Sequence, residues 1–251
     1  MVSVVRNRMM LLPLAALLVL LSALASCGQR GSSASRTARI APRDSTAPYD
    51  GIDISSHQGN IDWAKVGNDP YIRFVYIKAT EGATYQSRHY RYNVAGAHRQ
   101  GFLVGSYHYV SSKSPIDLQA RNFFMQATRE SQDLIPMLDV EERGAWSRRQ
   151  LIDSVSKLAA LLEKHYGRKP MIYSTIDFYN KNLAPQFNKY PLYIGRYSSS
   201  KPRINWDGRY TVWQFTENGI IPGIDAYVDL CHFHDDGWLD EITLSPAPVN
   251  Q

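Results

Sequence analysis

The segment 135–174, IPMLDVEERGAWSRRQLIDSVSKLAALLEKHYGRKPMIYS, reads as strand, helix, strand. Ser147 is a good N-cap, and from it Leu151, Ile152, Val155, Leu158, Ala159 and Leu162 recur on one helical face until Gly167 and Pro170 end the run. Short β-branched and apolar runs flank the helix on both sides, at 135–141 and 171–174. A strand followed by an outward-packing helix and a second strand is one turn of a parallel β/α fold.

Working outward, the same alternation begins at Tyr49. Strands are expected at 51–55, 73–80, 103–110, 135–141, 171–174, 192–197, 211–216 and 227–230, with further helices over 89–99 and 115–128. The stretch 175–190 fits neither pattern clearly, and the later connections are too short for full helices. Eight strands with fewer helices predict an α/β fold of TIM-barrel type, a closed but irregular barrel.

The N-terminus is of another kind. Arg6 and Arg8 precede a nearly uncharged run over 9–25, shortened by Pro13 and ending in small residues before Cys27. That is the pattern of a secretory signal, too short to favour a membrane span. Leu24-Ala25-Ser26-Cys27 resembles the lipobox of bacterial lipoproteins, which makes 1–26 a signal peptide and Cys27 a lipidation site. Gly28 after the cysteine then favours the outer membrane if the cell is Gram-negative. Residues 27–48, rich in Gly, Ser, Arg and Ala, read as a disordered tether, and 49–245 as the folded domain. Cys231 is the other of two cysteines, so no disulfide framework is expected; a buried thiol is.

In a parallel barrel the functional residues sit at the carboxyl ends of the strands. Acids recur there: Asp53, Glu81, Asp139 with Glu141, and Asp229. Leu138-Asp139-Val140-Glu141 is the strongest local signal, because residues two apart on a strand share a face. Two carboxylates so placed repel, which raises one pKa and keeps one acid protonated near neutrality. Glu142 falls on the opposite face. Aromatic residues join the acids at the same predicted rim, namely Tyr107, His108, Tyr109, Tyr173, Tyr197 and Trp213. Aromatic faces among carboxylates suit a groove for sugar rings.

Several ordered motifs then resemble glycoside hydrolase family 25, the lysozyme-type N-acetylmuramidases. They are Gly51-Ile52-Asp53-Ile54-Ser55 with Ser56-His57-Gln58-Gly59 and Ile61-Asp62-Trp63; Phe74-Val75-Tyr76-Ile77-Lys78-Ala79-Thr80-Glu81-Gly82; Gly105-Ser106-Tyr107-His108-Tyr109; and Asp139-Val140-Glu141. Ile172-Tyr173-Ser174, Tyr193-Ile194-Gly195-Arg196-Tyr197, Val212-Trp213-Gln214-Phe215 and Val228-Asp229-Leu230 continue the likeness over about 49–235. The resemblance implies a flattened β/α barrel that cuts the β-1,4 bond between N-acetylmuramic acid and N-acetylglucosamine. It places the proton donor at Glu141 and further catalytic acids at Asp53, Asp139 and Asp229, with Asp139 acting as nucleophile or orienting the substrate acetamido group. The expected substrate contacts are Tyr107, His108, Tyr173, Arg196, Tyr197, Trp213 and Gln214.

Two positions depart from the family pattern: Cys231 stands where asparagine is usual, and Gln86-Ser87-Arg88 where an aspartate is common. No cofactor, metal or nucleic acid is implied, and a monomer bound to peptidoglycan strands is expected. The net charge of +5 is a mild basic excess that suits an anionic wall. Two rival readings remain. A metal-dependent amidohydrolase would use His232 and His234, yet barrels of that class carry their His-x-His on the first strand, where this chain has Asp53. A non-catalytic peptidoglycan-binding module would have no need of Asp139 and Glu141.

Overall fold

The computed structural model describes residues 44–235 and 237–244; the expected signal peptide, Cys27 and most of the expected tether lie outside that range. Eight strands close a barrel: β1 (Gly51–Ile54), β2 (Phe74–Glu81), β4 (Leu103–Tyr109), β5 (Met137–Asp139), β6 (Met171–Thr175), β7 (Leu192–Gly195), β8 (Val212–Gly219) and β9 (Val228–Phe233). A short additional strand, β3 (Tyr85–Gln86), folds back on β2 alone. All eight strands expected from the sequence are present.

The sheet is not wholly parallel. From β1 through β8 the ring pairs are parallel, but β9 runs antiparallel to both of its neighbours, β8 and β1. The connection 220–227 is shorter than the roughly dozen residues a parallel crossover requires, so it turns the chain straight back. The irregularity expected of the barrel lies in part at that strand, which breaks the parallel pairing.

Among the described residues, helices α1 (Trp63–Val66), α2 (Tyr90–Arg99), α3 (Ile116–Gln126) and α4 (Arg148–Tyr166) follow β1, β3, β4 and β5 in turn. In α4 the Ser147 hydroxyl accepts from Gln150 N and the Gln150 side chain accepts from Ser147 N, a reciprocal cap that fixes the helix start. Gly167 ends it at φ 80°, where a side chain would be strained. The buried face is Leu151, Val155, Leu158, Ala159 and Leu162, with Ile152 half-buried at its edge. Each buried leucine or valine contributes about 1.5–3 kcal/mol relative to exposure. The ambiguous stretch after β6 is a helical turn at Ile176–Phe178 that widens into a π-helical turn at Tyr179–Leu183.

Large rings fill the inside of the barrel. Phe74 faces Gly51 across β1–β2, and Tyr76 faces Gly105 across β2–β4. A Cβ at those glycines would come within 2.6 and 2.3 Å of the opposing rings, so glycine is what admits them. Tyr76 meets Tyr193 edge-on at 6.0 Å, and Tyr193 lies 5.6 Å from Tyr173. This aromatic column makes the barrel a solid core and gives the acids above it a dry floor.

Candidate active site

Asp53 on β1 and Asp229 on β9 are direct register partners. Because β9 is antiparallel, its beginning lies at the mouth where β1 ends, and that direction alone brings the two carboxyls together. Asp139 closes β5. Beyond it Val140 N donates to Tyr173 O at 3.0 Å and Val140 O accepts from the Ser174 hydroxyl at 2.7 Å. Those bonds hold the chain extended past the strand and return Glu141 to the side of Asp139.

The four acids line one cleft of about 250 Å³, with Tyr107, Tyr173 and Tyr197 on its walls. Gln214 crosses it. Gln214 Oε1 receives the hydroxyls of Tyr173 (2.8 Å) and Tyr197 (3.0 Å), and Gln214 Nε2 donates to Asp53 Oδ2 at 2.9 Å. Tyr193 donates to the same Asp53 oxygen at 2.8 Å.

Burial raises the pKa of every one of these acids. Asp139, 6% exposed, is pushed well above the carboxylate range first by burial and then by the charge of Glu141, against the opposing pull of Lys78. Glu141 is more open; burial raises it, while a hydrogen bond to Asp139 and the charge of Lys78 act the other way. The hydrogen bond between the two carboxyls raises Asp139 and lowers Glu141, so the two titrate together. Among the described residues no amide, hydroxyl or amine donates to buried Asp139 Oδ1, so a charge on that oxygen lacks a donor there. Asp229 is held at about 9 by burial, the charge of Asp53 and the hydrogen bond between them. Asp53 is also raised by burial, offset by the hydrogen bonds from Tyr193, Gln214 and Asp229.

Strand parity separates the other expected contacts. Tyr107, Tyr173, Tyr197 and Gln214 line the cleft, but His108, Arg196 and Trp213 do not. His108 lies on the opposite face of β4 from Tyr107, fully buried between the Thr80 hydroxyl (2.7 Å) and Gln119 Oε1 (3.1 Å), and burial lowers its pKa to about 4. Gly195 and Gln214 face inward, so their neighbours Arg196 and Trp213 face out; the Trp213 indole donates to Arg196 O at 2.8 Å. Trp213 lines a separate hollow on the outer wall with His232. There His232 stacks on Phe215 at 4.7 Å and reaches Asp50 at 3.4 Å, and His234 meets Tyr210 edge-on. Neither histidine joins the acids. Glu142 is exposed, and Cys231 is a buried free thiol opposite Gly51.

Sequence reasoning passed over Tyr193, Glu217 and Lys78. Tyr193 shares the inward face of β7 with Gly195, a parity available from the sequence once either was placed. Glu217, on the far part of β8 beyond a register shift, lines the cleft, and no simple alternation reaches it. Lys78 pairs with Glu81 at 2.9 Å and lies over the Tyr109 ring at 4.9 Å.

A closed barrel with carboxyls of raised pKa beside a charged carboxylate at its mouth offers the acid and the negative charge that glycoside hydrolysis needs. The chain belongs to glycosyl hydrolases family 25, whose model matches residues 52–224. It is 36% identical over 206 residues to the uncharacterized protein YegX of Escherichia coli O6:H1, covering 78% of this chain and 75% of that one. With the autolytic lysozyme of Clostridium acetobutylicum it shares 35% identity over 185 residues, 74% of this chain and 56% of the relative. The solved family 25 glycosyl hydrolase of Bacillus anthracis superposes with a TM-score of 0.70 at 28% identity, covering 78% of this chain and 93% of that one.

Proposed function

We propose that this protein is a lysozyme-type muramidase that hydrolyses the β-1,4 bond between N-acetylmuramic acid and N-acetylglucosamine in peptidoglycan, with Glu141 as the proton donor. The observation that carries this is the Asp139–Glu141 pair, which keeps a proton available in a cleft lined by carboxylates and tyrosines. Cleaving a glycoside needs an acid for the leaving oxygen and negative charge near the oxocarbenium-like transition state. Glu141 is the member of its pair open to the cleft, and Asp139 is buried behind it. Asp53 and the single charge of the Asp139–Glu141 pair supply the negative field, with Asp139 acting as nucleophile or by orienting the acetamido group. Tyr107, Tyr173 and Tyr197 offer ring faces and hydroxyls to the sugars.

Export and attachment belong to the same reading: cleavage before Cys27, lipid on that cysteine, and a tether over 27–48 that lets a monomeric domain work at the wall. The lipobox-like Leu24-Ala25-Ser26-Cys27 supports it, and Gly28 after the cysteine favours the outer membrane as the address if the cell is Gram-negative. Cys27→Ser is expected to appear in the soluble fraction with unchanged specific activity, and retention in the membrane fraction would remove the anchor from the proposal. The hydrolase itself is tested on purified sacculi. Wild type is expected to release muropeptides that end in reducing N-acetylmuramic acid, and Glu141→Gln is expected not to. Reducing N-acetylglucosamine ends would identify a different bond.

A further inference from the structure

Asp53 is met by side chains from two neighbouring strands of the barrel, Tyr193 and Gln214. Gln214 Oε1 takes the hydroxyls of Tyr173 and Tyr197, which leaves the amide nitrogen to face Asp53. The reverse orientation would set the amide oxygen against Asp53 Oδ2 and would require a proton on that oxygen, which already receives the Tyr193 hydroxyl. Asp53 Oδ2 thus receives two donors, Gln214 Nε2–H and Tyr193 Oη–H, and a proton on that oxygen would displace one of them. Two donors on one carboxylate oxygen favour its charged form. The carboxyl of Asp229, the register partner, hydrogen bonds to that of Asp53, a contact that needs one proton between two acceptors.

We propose that Gln214, aimed by Tyr173 and Tyr197, is a positioning residue that assigns the charge within this pair, making Asp53 the carboxylate and Asp229 the neutral acid. Asp53 then faces the reacting sugar as a fixed negative charge, and Asp229 offers substrate no second one. This use of the charge rests on the muramidase reading; the proton assignment does not.

The surroundings push the same way. Tyr107 from β4 and Tyr193 from β7 stay neutral, each held well above its ordinary value by burial and by the charge of Asp53. Glu217 from β8 and Glu141 both add negative potential at Asp229, which strengthens its hold on the proton. Cys231, next inward on β9, is a buried neutral thiol. Lys78, from β2, acts on the Asp139–Glu141 pair instead.

The test is a carboxyl ¹³C NMR titration of the full chain with labelled aspartate, assigned through Asp53→Asn and Asp229→Asn and needing no turnover. In wild type at pH 7, Asp53 is expected to show the ionised shift and Asp229 the protonated one, with Asp229 titrating in the alkaline range. Gln214→Leu takes one donor from Asp53, and the Asp53 midpoint is expected to rise by about one pH unit. Gln214→Glu keeps the shape and must hold its new carboxyl protonated to donate, so its melting temperature matches wild type at acid pH and falls away from it as pH rises.

A protonated Asp53 in wild type overturns the assignment. So do unmoved aspartate midpoints in folded Gln214→Leu. If that variant does not fold, a Gln214→Glu melting profile parallel to wild type at every pH has the same force. The expected NMR pattern in a protein that releases no muropeptides overturns the muramidase reading and leaves the proton assignment standing.

Discussion

The two carboxyl pairs face each other across one cleft and are built differently. Asp139 and Glu141 belong to a single stretch of chain, two residues apart, and leave one buried oxygen without a donor. Asp53 and Asp229 come from antiparallel strands, and Asp53 Oδ2 is held by two side chains from β7 and β8. In the first pair the more open member can give up its proton to a substrate; in the second the proton is bound within a completed network. Raised pKa values alone do not separate a working acid from a fixed charge. The hydrogen bonds around each carboxyl do.

The largest test of that contrast is Glu141→Gln. Losing the proton donor is expected to lower kcat on sacculi by about 10²–10⁴ across the pH range. An artificial substrate with a good leaving group needs less acid assistance and should be partly spared. Equal losses on both substrates would take Glu141 out of the acid role.

Asp229→Asn probes the other pair through stability. A carboxyl at about 9 in the folded protein and near 4 when unfolded binds its proton more tightly when folded, so its contribution is whole below the unfolded value and drains away as pH rises towards 9. Asparagine cannot ionise and still offers a donor to Asp53. Melting temperatures at pH 5 and pH 9 are therefore expected to move in the variant's favour by several degrees between the two. A difference independent of pH would mean that Asp229 is not the protonated partner.

Asp139→Asn should have a subtler effect. Asp139 and Glu141 titrate together, and the last proton of the pair is held partly because its loss would leave two adjacent negative charges; with a neutral neighbour it leaves sooner. The alkaline limb of kcat/KM is expected to move down by about one pH unit. An unmoved limb would show that the pair does not share its proton. The smallest change is expected from Tyr193→Phe, which removes one of two donors to Asp53 and leaves the ring in the aromatic column. A hydrogen bond to a charged group is worth about 1.5–3 kcal/mol, and chemical denaturation at neutral pH reads it. A loss well above that range would point to the ring instead of the hydroxyl.

Much of this was legible in the sequence. The cap at Ser147, the apolar stripe to Leu162 and the stop at Gly167 are local signals, and the structure repeats them residue for residue. The Asp139-Val140-Glu141 alternation is local too, and it placed both acids on one side. Rim residues fared unevenly because a strand's parity tells which side chains share a face, not which face looks inward. That is why Tyr107 and Gln214 line the cleft while His108 and Trp213, one position away, are built into other surfaces.

By itself, then, the sequence determined the eight strands, the order of the motifs and the strand-end acids, since each depends on neighbours a few residues apart. Only the tertiary structure decided that β9 runs backwards, that Asp229 therefore meets Asp53, and that Gln214, 161 positions from Asp53, donates to it. Those facts depend on strand direction and register across the closed barrel, set by the short 220–227 connection and by rings that fit only opposite Gly51 and Gly105. Such long-range fits leave no periodic trace in a single chain, because what selects them is the packing of the finished core.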